Sequence, residues 1–106
     1  MSDALEMPEA SEFEARAAEA AQFLKLLANE HRLLVLCHLL AAGEASVSSL
    51  VGQSGLSQSA LSQHLAKLRE ARLVATRRES QTIHYRIADL KAQRLLRVLH
   101  DIYCRK

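Results

Sequence analysis

Apolar residues recur every three or four positions along most of this chain, and only in its last third does the repeat shorten to two. Ser11 followed three residues on by Glu14 makes a capping box, in which each side chain accepts from the other residue's orphaned backbone N–H. Phe13, Ala17, Ala20, Leu24 and Leu27 continue at helical spacing, so the pattern predicts a first helix over about residues 11–28. Asn29 is placed to cap a second helix whose apolar face is Leu33, Leu36, Cys37 and Leu40, with Gly43 as its natural stop. Cys37 therefore faces a core or a helix interface. Ser46 caps a short helix carrying Val47, Leu50 and Val51, which ends in the turn Gln53-Ser54-Gly55-Leu56. Ser57 then caps a further helix from Gln58 to about Ala71, with Leu61, Leu65 and Leu68 inward and Gln58, Ser59, Ser62, Gln63, Ala66 and Arg69 outward.

Beyond that helix the period changes. Leu73 to Arg78 and Thr82 to Ile87 are rich in β-formers, with Ile83, Tyr85 and Ile87 on one face and Thr82, His84 and Arg86 on the other. Glu79-Ser80-Gln81 joins them as a polar hairpin tip. Asp89 starts a final helix with an apolar stripe of Leu95, Val98, Leu99, Ile102 and Tyr103. A short helix, a glycine turn, a capped second helix and then a hairpin make a winged helix-turn-helix: mainly α with a small β-hairpin, in the order α-α-α-α-β-β-α. Residues 1–10 hold the single proline, three acids and no clear period, and are expected to be a flexible acidic tail before one domain over residues 11–106.

Composition narrows the class. At 106 residues the chain suffices for one domain and not two, and Leu and Ala, both strong helix formers, supply 36 of them. A domain of this size hides roughly two-thirds of its unfolded surface, so a core shared with a second copy is an attractive supplement. The longest apolar runs, such as Leu33 to Cys37, fall far short of the ~20 residues of a bilayer span, and the acidic start does not resemble a signal peptide; a soluble, cytoplasmic protein is expected. The net charge of +2 hides an asymmetry: seven acids against two bases up to His31, and twelve bases against five acids from Arg32 onward. A basic working body behind an acidic leader points to nucleic acid.

The helix that starts at Gln58 carries the chemistry for it. Gln and Ser side chains are short donors and acceptors that reach base edges in a major groove, which makes Gln58, Ser59, Ser62 and Gln63 candidate readers; the same residues also simply solubilise an exposed helix. Ser57, His64, Lys67 and Arg69 stand beside or beyond them, where phosphate contacts are expected. On the hairpin, Arg77, Arg78 and Arg86 concentrate positive charge and Gln81 with Thr82 stand at the tip, placed for a minor groove; charge along an edge strand also guards it against unwanted pairing.

The segment Leu56-Ser-Gln-Ser-Ala-Leu-Ser-Gln-His-Leu-Ala-Lys-Leu-Arg-Glu-Ala-Arg-Leu-Val74, preceded by Leu27-Ala-Asn-Glu-His-Arg-Leu33, resembles the helix-turn-helix signature of the ArsR family of dimeric winged-helix repressors. The resemblance covers about residues 15–104. It implies a homodimer built from the first and last helices, an operator that is an imperfect inverted repeat in double-stranded DNA, and release when an inducer arrives. The family usually has glycine where Arg72 stands, because that position tends to be left-handed.

Many members sense metals, and their ligand patterns are missing here. Where one pattern needs two cysteines this chain has Ser46 and Ser48, within Glu44-Ala-Ser-Val-Ser-Ser-Leu50; the other pattern meets Asp89 but then Lys91, Ile102 and Arg105 in place of its remaining ligands. Serine lacks a thiolate's affinity for soft metals, and lysine and arginine have no lone pair to offer at neutral pH. No metal and no cofactor is expected.

Two cysteines remain, Cys37 and Cys104, the latter within Asp101-Ile-Tyr-Cys104. Cysteine on an apolar helix face also serves as a small core hydrophobe. The arrangement is nevertheless similar to a branch of the family that senses persulfides or oxidants through two thiols, which implies that the two approach one another within a subunit and that reactive sulfur species or an oxidant is the inducer. A direct disulfide needs Cα atoms within about 7 Å, and a longer sulfur chain relaxes that limit. Two other functions use the same residues. One is an activator that works as an anti-repressor on shared DNA. The other is a dithiol redox enzyme, disfavoured because there is no Cys-x-x-Cys and a nucleophile on a buried stripe is poorly accessible.

Overall fold

The computed structural model describes residues 10–104. Its elements are α1 (Ala10–Leu27), α2 (Glu30–Ala42), β1 (Ala45–Ser46), α3 (Val47–Ser54), α4 (Gln58–Glu70), β2 (Val74–Glu79), β3 (Thr82–Ile87) and α5 (Leu90–Cys104). Most of the expected tail lies outside the described residues, and Ala10 already belongs to α1. Ser11 is therefore inside the helix and not its cap, because alanine, the best helix former, extends the first turn backwards.

The other starts follow local chemistry closely. Asn29, Ser46 and Ser57 sit in extended backbone and their side chains accept from the N–H groups of Arg32, Ser49 and Ala60, while the Asp89 carboxylate accepts from Ala92 N–H at 3.0 Å. Each satisfies a donor that has no intrahelical partner, worth about 1 kcal/mol. Gly43 and Gly55, both at positive φ, end α2 and α3. At the end of α4 the chain turns through Arg72 at φ 65, with Arg72 N–H donating to Arg69 C=O and Leu73 N–H to Leu68 C=O, both 2.9 Å. That pair of bonds is the usual glycine-centred helix stop, made here around an arginine.

The sheet has three strands in the order β1-β3-β2, one more than the hairpin expected. β2 and β3 pair antiparallel from Val74↔Ile87 to Glu79↔Thr82, closed by the two residues Ser80 and Gln81, with Ser80 at φ 59. β1 adds the pairs Ala45↔Tyr85 and Ser46↔His84; two residues are too few for an alternation to announce a strand.

The core is leucine: Leu36, Leu39, Leu50, Leu61, Leu65, Leu68, Leu73 and Leu96 are all buried, with Val35 and Ala92. Each full-size side chain contributes about 1.5–3 kcal/mol by leaving water, and cutting Leu61 or Leu65 to alanine would cost about 2–5 kcal/mol. In α4 the inward residues are those its period predicts. In α2 the deepest are Val35, Leu36 and Leu39, while Leu33, Cys37 and Leu40 pack at the edge of the core, because the unbroken apolar run lets its phase rotate. In α5 the core takes Ala92 and Leu96, leaving Val98, Ile102 and Tyr103 of the predicted stripe exposed and Leu95 and Leu99 half-buried. Most of the predicted face of α1 is likewise open, with Phe13 and Leu24 exposed and Leu27 buried.

Candidate nucleic-acid interface

α3 and α4 pack on one another across the Gly55 turn, and the three buried leucines of α4 turn its other side to solvent. Gln58, Ser59, Ser62, Gln63, Lys67 and Arg69 are all exposed, as is the cap Ser57. The hairpin formed by β2 and β3 stands beside this face. Gln58 and Ser62 of α4 line one shallow groove together with Gln81 and Thr82 of the hairpin, and Ser46 and Ser48 at the start of α3 complete it. Four residues proposed from sequence on two separate elements are thus neighbours in space. Ser62, Gln63, Lys67 and Arg69 line an adjoining depression that ends at Tyr85.

Two predicted contacts are already engaged within the chain. The Arg77 guanidinium makes a double bond-pair with Glu44, Nη2 to Oε1 at 2.8 Å and Nε to Oε2 at 3.0 Å, with Glu79 Oε1 a further 3.6 Å from Nη2. The hydrogen bond from Arg77 holds the Glu44 carboxyl below its usual range, and Glu44 raises the guanidinium in return. Arg77 thereby ties the hairpin to the segment before β1, and both it and Arg78, one residue further out, remain exposed. His64 is half-buried, with its Nδ1 accepting from Arg32 Nε at 2.9 Å. Sequence reasoning passed over Arg32 and Glu44, each more than thirty positions from its partner; the one visible signal was an arginine set among the apolar residues that open α2.

Cys37 on α2 is half-buried and Cys104 at the end of α5 is exposed, and both are free thiols. α2 and α5 pack against each other. Burial pushes the Cys37 thiol above the usual range, and the neighbouring Cys104 pushes it further in the same direction. Cys37 opens onto two surface depressions, one of which also holds His38 and His100. Of the missing metal positions, Ser46 and Ser48 hydrogen-bond one another at 3.3 Å and Lys91 Nζ lies 3.3 Å from the Asp89 carboxylate; Arg105 is outside the described residues. Among the described residues no three of His, Cys, Asp and Glu come together to hold a metal ion.

A helix-turn-helix with an exposed polar and basic second helix and a hairpin wing at its side defines a DNA-binding transcriptional regulator of the winged-helix class. Residues 29–76 match the family described as bacterial regulatory protein, arsR family, and the chain belongs to that family. It is 47% identical over 93 residues to the transcriptional activator HlyU of Vibrio cholerae, covering 88% of this chain and 85% of that protein. Over 91 residues it is 48% identical to a biofilm growth-associated repressor of Agrobacterium fabrum, covering 86% and 77%. Among solved structures, reduced HlyU from Vibrio cholerae superposes with a TM-score of 0.83 at 47% identity, covering 89% of this chain and 98% of that one. The repressor BigR from Xylella fastidiosa does so with 0.81 at 42%, covering 91% and 97%. These relatives are transcriptional regulators, not enzymes, which sets aside the dithiol enzyme. No helix among the described residues is long and apolar enough to cross a membrane.

Proposed function

We propose that this protein is a homodimeric, operator-specific repressor that lets go of its DNA when Cys37 and Cys104 become linked. Each protomer lays α4 in a major groove, Gln58, Ser59, Ser62 and Gln63 on base edges and Ser57, Lys67 and Arg69 on phosphates, while Arg78, Gln81 and Thr82 of the wing follow the adjacent backbone or minor groove. The two-fold axis of the dimer matches an inverted repeat with half-sites about 10 to 20 base pairs apart. Support for the dimer comes from the apolar residues left open on α1 and α5, Phe13, Leu24, Val98, Ile102 and Tyr103, which a second copy would cover.

The observation that carries the switch is that α2, which holds the half-buried Cys37, packs against α5, which ends in the exposed Cys104, with both thiols free. Cys104 is the exposed thiol and meets the reagent first. A persulfide donor RSSH passes its outer sulfur to Cys104, leaving RSH; the Cys37 thiolate then attacks the inner sulfur, forming the disulfide and expelling hydrosulfide. With a peroxide, Cys104 becomes a sulfenic acid as the peroxide is reduced to an alcohol or water, and attack by Cys37 releases water. If the Cys104 persulfide first attacks the R-bearing sulfur of a second RSSH, expelling hydrosulfide, attack of Cys37 on the middle sulfur of the resulting chain expels RSH and leaves one sulfur atom between the two cysteines. Joining α2, which precedes the helix-turn-helix, to α5, which belongs to the proposed dimer face, couples the thiols to the spacing of the recognition helices. A differential of about 1.4 kcal/mol between the two states changes operator affinity tenfold.

The likeness to an activator, HlyU, favours a second reading in which the same DNA face displaces another bound protein. The test is operator binding after persulfide or peroxide, then dithiothreitol. The proposal expects reversible release in the wild type and none in Cys37→Ser or Cys104→Ser, both of which bind DNA normally when reduced. Release that persists in Cys37→Ser would return Cys37 to a packing role, and reporter expression that falls on deletion of the protein would favour the activator.

A further inference from the structure

We infer that Arg32 is a positioning residue for DNA recognition, tying α4 to the last turn of α1 through a hydrogen bond to His64 that holds only while that imidazole is neutral. The inference rests on the DNA-reading face assigned to α4. Arg32 Nε donates to His64 Nδ1 at 2.9 Å and Arg32 Nη1 donates to the Leu26 carbonyl at 3.3 Å. One half-buried guanidinium thus spans three helices. Its stem rises from a fixed point, since the Arg32 N–H is itself held by the Asn29 cap at 3.1 Å. The Leu26 carbonyl is one of the α1 acceptors with no intrahelical donor, which is where a cation is favoured.

What this clasp adds is direction. Leu61, Leu65 and Leu68 hold α4 to the core by apolar contact, which resists lifting far more than rolling. A hydrogen bond on the flank of the helix resists rolling, and the roll of α4 decides whether Ser59, Ser62 and Gln63 point at bases. The α1 end of the clasp belongs to the helix whose open apolar face is assigned to the dimer contact, so the same bond relates dimer geometry to the reading face.

The bond has a defined protonation state. With Nδ1 as acceptor the imidazole proton is on Nε2, and a second proton would set an N–H against a guanidinium that has no acceptor. From α2, Arg32 and His31 face this ring, His31 with its centroid 6.3 Å away, and on α4 itself Lys67 follows one turn later; from α1, the Leu26 carbonyl accepts from the same guanidinium. Burial first, then Arg32 and His31, push the His64 imidazole toward its neutral form, which places its titration below the ordinary histidine range. Acid therefore opens the clasp. For a protein that meets a polyanion the sign is diagnostic, because protonating a histidine that touched phosphate would strengthen binding.

The test uses full-length protein and an inverted-repeat duplex that the wild type selects from a random pool, with affinity measured at constant salt from about pH 8 to pH 5.5. Wild-type affinity is expected to fall about tenfold or more on acidification, the loss that goes with one hydrogen bond to a charged group. Arg32→Ala should bind at the alkaline end as weakly as acidified wild type, with no further acid loss. His64→Gln should lose the acid response, whereas His31→Gln should keep it. In the free protein, imidazole nitrogen resonances should report His64 as the Nε2–H tautomer near neutrality, and Arg32→Ala should raise its titration midpoint. Should Arg32→Ala fail to fold, the pH response of His64→Gln decides. Affinity that is flat or rises with acid in the wild type, or an acid loss that persists in His64→Gln, overturns the inference. Selection of no duplex at all overturns the DNA-reading face itself, and the inference with it.

Discussion

Ile102→Asp separates the proposed dimer contact from the fold of the single chain. Ile102 is 62% exposed, so the substitution removes little from the core of one protomer. Covering the open part of the side chain in a dimer is worth about 1–2 kcal/mol, the unburied share of the 1.5–3 kcal/mol of a fully buried isoleucine. Two-fold symmetry doubles it, giving about 2–4 kcal/mol and a dimer weaker by about thirtyfold to a thousandfold. A carboxylate brought into that contact adds a desolvation cost on top. Leu99→Asp is the less informative change, because Leu99 is half-buried within its own chain and the aspartate would disturb fold and dimer together. Sedimentation velocity over a concentration series, with circular dichroism on the same samples, reads both quantities. A helical monomer is the expected result, with operator affinity falling as half-sites are bound singly. A dimer of wild-type strength would refute the placement of α5 in the interface, and an unfolded chain would refute the independence of Ile102 from the core.

Other substitutions probe the reading face, the helix stop and the thiols. Gln58→Ala should lose about 1–3 kcal/mol of discrimination between operator and altered sequence in competition binding, whereas Arg78→Ala should weaken all duplexes alike and make the salt dependence shallower; the opposite pairing of effects would exchange the two roles. Arg72→Gly should raise the unfolding free energy by up to about 1 kcal/mol, since arginine at φ 65 bears a left-handed cost that glycine lacks; urea titration at one protein concentration measures it, and a loss of stability would count against strain at this turn. Because the Cys37 thiol is raised above its usual range, the step in which it attacks modified Cys104 should accelerate as pH rises through and beyond that range, followed by stopped-flow trapping of free thiols. A rate independent of pH would mean that Cys37 is not the attacking group.

Much of this architecture is legible in the chain because its signals are local. Asn29, Ser46 and Ser57 each bind an N–H three residues on, and in α4 a clean alternation of leucine with serine and glutamine separates the inner from the outer face. Left-handed backbone at Arg72 could be anticipated from the family resemblance alone, there being no glycine to mark it. What escapes is the phase of α2, where five apolar residues in a row leave the period undecided, and the two-residue strand β1. The clasp of Arg32 on His64 and the pairing of Arg77 with Glu44 escape for a different reason. They join positions 32 and 33 residues apart, and no pattern along the chain records which cation a fold will bring to which acceptor. The first leaves one ring nitrogen of His64 engaged within the chain, and the second ties the wing to the segment before β1 while Arg77 stays exposed.

The claim that Cys37 and Cys104 act together is tested most directly on the protein that leaves the DNA. Immobilised operator loaded with reduced protein is treated with a persulfide donor, and the released and retained fractions are digested without reductant and analysed by mass spectrometry. The expected result is a Cys37 peptide joined to a Cys104 peptide of the same subunit, directly or through added sulfur, in the released fraction and its absence from the retained one. Released protein with both thiols free, or with Cys104 modified and Cys37 untouched, would contradict the two-thiol switch.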